Sequence, residues 1–92
     1  MKNCWIVWDS HDEVVGVYES REDARKKSLD IFENFLRYNR YSEEEVQEMY
    51  NEFYNEALYS DMFGRDGIVF CEKAKFFPNS LNESSNVFFP SL

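Results

Sequence analysis

The chain has 92 residues, with eighteen Asp and Glu against ten Lys and Arg, a formal charge of −8 and 43% apolar residues, 18% of the chain being aromatic. That is too hydrophobic for a disordered acidic tail and short enough for one compact core. The charge excludes a general DNA or RNA binder, which would need Lys and Arg for the phosphates, and disfavours adhesion to anionic membranes.

Residues 4–8, Cys-Trp-Ile-Val-Trp, read as a strand because every position is β-branched, aromatic or small and apolar. The apolar run ends after five residues, too soon for a secretion signal core or a membrane span, so a cytoplasmic location is expected. Asp9-Ser10-His11-Asp12 is a polar turn, and residues 13–18 form a second strand, completing a hairpin. Gly16 inside that strand predicts a bulge or a close helix contact.

Ser20 followed by Asp23 opens a first helix that should run to about Tyr38, with Ala24, Ile31, Phe32, Phe35 and Leu36 on its apolar stripe and Leu29 at the margin. After a three-residue connection, Ser42 and Glu45 make a capping box for a second helix. Val46, Met49, Tyr50, Phe53, Tyr54, Ala57 and Leu58 then fall on one helical face. Gly64-Arg65-Asp66-Gly67 reads as a turn, and residues 68–77 as a third strand pairing with the first, in a direction the sequence leaves open. The expected fold is therefore α+β, β-β-α-α-β: a three-stranded sheet with a helical hairpin on one face, forming a single domain over residues 1–77. Residues 78–92 are expected to be a flexible tail with an apolar Val87-Phe88-Phe89 end, able to dock on the body or on a partner.

Cys4 and Cys71 form no C-x-x-C pair, and a reducing compartment would keep them as free buried thiols, although two strand positions leave a bridge open. His11 sits among Asp9, Asp12 and Glu13, where either a metal or base role or plain turn chemistry is conceivable. No Gly-rich phosphate loop, G-x-S-x-G or paired-His motif occurs, so neither an enzyme, a cofactor nor a metal is expected.

The charge is unevenly placed. Residues 41–63 carry seven carboxylates and no Lys or Arg: Glu43, Glu44, Glu45, Glu48, Glu52, Glu56 and Asp61. Glu44, Glu48, Glu52 and Glu56 are spaced by four and form a column with steps of about 6 Å along a helix. No basic residue stands at i+4, so three like-charge pairs together cost on the order of 1 kcal/mol. Two readings compete. In one the column is a solvated face partly neutralised by the first helix, with Arg37 and Arg40 near residues 43–45 and Arg21 and Arg25 near Glu56. In the other it is a phosphate mimic that enters the basic groove of a nucleic-acid-binding protein. Tyr59 is an interface anchor beside the column or packs over the Gly64 turn. Tyr38 and Tyr41 form a second contact patch or cover the end of the core.

The opening, Trp5-Ile6-Val7-Trp8-Asp9 and then Val14 through Ala24 with Gly16-Val17-Tyr18-Glu19-Ser20, resembles the start of many short acidic bacteriophage-encoded proteins. That resemblance implies a host-takeover or anti-defence role of the anti-CRISPR or anti-restriction kind. The implied protein is an inhibitor that occupies a nucleic-acid-binding surface without binding nucleic acid itself. Glu44, Glu48, Glu52, Glu56 and Tyr59 are the residues expected to meet the partner. The competing expectation is a self-associating or adaptor module that uses apolar surface and the tail.

Overall fold

The computed structural model describes residues 2–76; the expected tail lies outside them, as do residues 1 and 77 of the expected domain. In chain order the elements are β1 (Lys2–Asp9), β2 (Val14–Tyr18), α1 (Arg21–Tyr38), α2 (Glu43–Tyr59), β3 (Met62–Arg65) and β4 (Val69–Phe76). The α+β class is as expected, but the sheet has four strands, not three, in the antiparallel order β2-β1-β4-β3. The added strand is β3, whose Gly64 and Arg65 were expected in a turn. The turn is shorter, centred on Asp66 and on Gly67 at φ 72°.

Beyond the β1–β2 hairpin, the seam of the sheet is β1 against β4, from Lys2↔Phe76 to Asp9↔Val69. The strand after the helices does pair with the first strand, and its direction is antiparallel. β2 carries one extra residue: Val7 pairs with Gly16 but Trp8 with Val14, leaving Val15 in a bulge. The space over Gly16 is filled by the Tyr18 phenol, not by a helix; a Cβ there would come within 2.5 Å of its hydroxyl oxygen.

The faces of the sheet follow from strand alternation. Val7, Phe63, Val69 and Cys71 join Ala24, Leu29, Phe32 and Leu36 of α1 and Val46, Phe53 and Ala57 of α2 in the main core. Phe53 sits at its centre, edge-on to Phe32 at 5.0 Å and to Phe63 at 6.2 Å between ring centroids. Each such buried side chain contributes about 1.5–3 kcal/mol of hydrophobic stabilisation. The opposite face carries Cys4, Ile6 and Ala74, with Trp8 packed against them.

The α1 stripe is shifted from its expected position. Its most buried row is Ala24, Ser28, Phe32 and Leu36, with Leu29 beside it, while Phe35 is at the exposed margin. Ser28 is tolerated in the core because its hydroxyl donates to the Ala24 carbonyl at 2.8 Å. α1 ends in a left-handed cap, with Arg40 at φ 62°, its N–H donating to Arg37 O, and the Tyr41 N–H donating to Leu36 O. The chain then reverses into α2. There the Ser42 hydroxyl accepts from the Glu45 N–H at 3.2 Å, and the Glu45 carboxylate accepts from the Ser42 N–H at 3.0 Å.

The two thiols do not form a bridge. Both are free, with Cys71 in the main core and Cys4 in the cluster on the far side of the sheet. Burial pushes the Cys71 thiol up to about 12 and raises that of Cys4 as well.

Candidate functional site

The acidic segment is the second helix, and its carboxylates divide by what they meet. At the N-terminal end Glu43 accepts from Arg37 Nη1 at 2.5 Å, a contact that lowers the Glu43 pKa. Glu45 is occupied by the capping box. At the C-terminal end Arg21 reaches over from the start of α1. Its Nη1 donates to the Leu58 carbonyl at 2.9 Å and its Nη2 to Asp61 at 2.8 Å. α2 has no basic residue of its own in its last turn, so Arg21 supplies the cation that the helix C-terminus favours. Asp61 also lies 3.5 Å from Lys73 Nζ, and its pKa is lowered, chiefly by Arg21.

Among the described residues the column itself meets one cation, from an unexpected element. Arg65 of β3 stacks its guanidinium 4.6 Å from the centroid of the Phe53 ring and donates through Nη1 to both Glu56 carboxylate oxygens, at 3.1 and 3.0 Å. Its Nη2 lies 3.8 Å from Glu52. The expected neutralisation of Glu56 by Arg21 and Arg25 is therefore corrected: Arg21 is committed to Leu58 and Asp61. Arg25 lies over the Tyr54 ring at 5.1 Å and near Glu22 at 3.8 Å. The expected match of Arg37 to the start of α2 holds for Glu43.

What remains is an outward-facing row. Glu44 and Glu48 are exposed and have no ion pair among the described residues, and Glu52 is exposed beyond its long contact with Arg65. Tyr59, at the foot of the same helix, is 85% exposed, so it does not pack over the Gly64 segment. Tyr38 is 86% exposed and does not close the end of the core. The structure thus keeps all five expected contact residues at the surface of α2 but splits the column, with Glu44 and Glu48 open and Glu56 clamped. Arg65, the residue that decides this split, was legible only as a turn residue.

The other candidates have local roles. The Asp9 carboxylate accepts from the His11 and Glu13 backbone N–H groups at 2.8 and 3.0 Å, which lowers its pKa, the Glu13 bond counting most. Together with Asp12 at φ 60° this builds the β1–β2 turn. Among the described residues no group of three His, Cys, Asp or Glu is placed to hold a metal ion. An open cleft of about 540 Å³ runs between this turn and the β3–β4 turn, with Asp9, Asp12, Arg65 and Asp66 among its lining residues. The Arg65 guanidinium there is already occupied by Glu56 and the Gly64 carbonyl. No helix among the described residues is long and apolar enough to cross a membrane. No family model, no curated protein and no solved structure matches this chain.

Proposed function

We propose that the protein is a non-enzymatic inhibitor of the phage or mobile-element type. It presents the outer face of α2 to the basic, nucleic-acid-contacting surface of a host defence protein and so excludes nucleic acid from it. The observation that carries this reading is the row of exposed carboxylates, Glu44, Glu48 and Glu52, on a helix packed rigidly by Phe53 and Ala57 and flanked by the exposed Tyr59. A helix that is already folded needs no backbone ordering on binding, and the field of its carboxylates steers association with a basic groove.

The test starts with capture of partners from the source cell at low and high salt, followed by binding kinetics on the captured protein. Charge reversal at Glu48→Lys with Glu52→Lys should slow association by about tenfold and flatten its salt dependence, and the wild-type protein should compete with nucleic acid for the partner. Unchanged kinetics in the double variant, or simultaneous binding of nucleic acid, would defeat the reading.

A further inference from the structure

The two terminal nitrogens of Arg65 bridge two carboxylates of α2. Nη1 lies 3.0 Å from Glu56, and Nη2 lies 3.8 Å from Glu52, one helical step earlier. Beneath the guanidinium is the Phe53 ring, with its centroid 4.6 Å away. This seat has three parts: two carboxylates at i and i+4, and an apolar side chain directly after the first of them. The carboxylates hold the charge, and the apolar floor takes the flat face of a guanidinium, which is weakly hydrated.

An α-helix repeats its surface every four residues, with a rise of about 6 Å and a rotation of about 40°. One step back from Glu52-Phe53-Glu56 stands Glu48-Met49-Glu52. Met49 is half-buried and packed against the main core, so it supplies an apolar, polarisable floor where Phe53 supplies one in the first seat. Glu48 is exposed and has no ion pair among the described residues. The Glu52 side chain is 78% exposed, so its long contact with Arg65 leaves its carboxylate within reach of a second cation. A further step back the pattern ends. In Glu44-Glu45-Glu48 the floor position holds a carboxylate, and Glu45 is engaged by the capping box.

We propose that Glu48, Met49 and Glu52 form a second guanidinium seat, which takes an arginine side chain of a partner protein. The seat rests on the geometry of α2; that its arginine comes from a nucleic-acid-contacting surface rests on the function proposed above. Arginine fits better than lysine because its planar fork spans two acceptors and stacks on the floor, whereas an ammonium is a compact, strongly hydrated charge. With both seats filled, Glu52 stands between two guanidiniums, and the charges alternate along the helix. Arg65 then also sets the footprint: it keeps Glu56 out of the partner's reach and confines the arginine to Glu48 and Glu52.

Hexa-arginine and hexa-lysine peptides are the probes, titrated at low ionic strength into protein with isotope-labelled Glu side-chain carboxyls. In the unmodified protein hexa-arginine should shift the Glu48 and Glu52 signals most, leave Glu56 unmoved, and bind about fivefold more tightly than hexa-lysine. Glu48→Gln should weaken hexa-arginine binding about fivefold, whereas Glu44→Gln, the same charge change outside the seat, should weaken it less than about twofold. Arg65→Gln, shown to be folded by its amide spectrum, should bring Glu56 among the shifting signals. Equal affinity for the two peptides, shifts spread evenly over the column, or equal losses from Glu44→Gln and Glu48→Gln would overturn the proposal; the first two readings need no variant. These outcomes are separable from the fate of the proposed function. If they fail while Glu48→Lys with Glu52→Lys still slows association with the captured partner, the seat falls and the function stands. If they hold while that partner keeps its nucleic acid, the function falls and the seat stands.

Discussion

Arg65 and Glu56 join the edge of the sheet to the acidic helix: one guanidinium nitrogen donates to both carboxylate oxygens while the same guanidinium lies over the Phe53 ring. This is the only described cation on the Glu44–Glu56 column, and it stands where the helix's own negative end makes a carboxylate least favourable. Replacing it by an apolar side chain of similar length, Arg65→Met, should lower stability by about 1–2 kcal/mol, since a partly buried stacking contact is lost together with the ion pair. Denaturant unfolding measures this. Lysine at the same position should recover only part of the loss, because it cannot stack a planar group on Phe53 while spanning both oxygens.

Tyr59 should separate binding from folding. With its side chain almost wholly in solvent, Tyr59→Ala should leave the melting temperature within the range of ordinary surface changes, about 0.5 kcal/mol. If the acidic face is the docking surface, the same change should cost about 1–2 kcal/mol of affinity for the captured partner, as loss of an aromatic anchor does. Titration calorimetry on the partner reads one quantity and thermal melting the other.

Arg40 holds a left-handed backbone conformation that a side chain resists. Arg40→Gly should therefore stabilise the protein by about 0.5–1 kcal/mol, seen as a rise of several degrees in melting temperature. Gly64 is the converse case. A Cβ at this position would stand 2.6 Å from the Val69 carbonyl oxygen, backbone that cannot step aside without disturbing the β3–β4 pairing. Gly64→Ala should cost about 1–3 kcal/mol.

Acid should weaken the fold through identified groups. Asp61, Glu43 and Asp9 all have pKa values lowered in the folded state, by Arg21, by Arg37 and by the Glu13 and His11 amides respectively. A lowered carboxylate binds its proton less readily folded than unfolded. Its stabilisation is complete above the unfolded value and is lost as pH falls through the folded one. Melting temperature should hold near neutral pH and drop below about pH 4. Asp61→Asn should start from a lower plateau and fall less steeply in acid.

Much of the fold was legible because local chemistry and tertiary demand agreed. Ser20, Ser42 and Glu45 mark helix starts by bonds made within three residues, and the α2 stripe is periodic enough to reveal its face. β3 was not legible because Met62-Phe63-Gly64-Arg65 is only four residues long, contains a glycine and buries one large side chain; pairing with β4 makes it a strand. The α1 face was misjudged because Ser28, polar by type, is satisfied inside its own helix and fills a core position. The acidic column could be read from spacing alone, but its partial neutralisation could not. The neutralising cation arrives from a strand that exists only once the sheet has formed.

The pairing of β1 with β4 also dictates an order of events. Among the described residues three hairpins, β1 with β2, α1 with α2 and β3 with β4, are local, and each can form as soon as its own residues are made. The seam between β1 and β4 closes only after residues 69–76 have been made. Until then β1 keeps an unpaired edge and Val7 lacks its Cys71 neighbour. Closure of this one long loop, whose entropic cost grows only slowly with its length, should therefore limit the folding rate more than the formation of either helix.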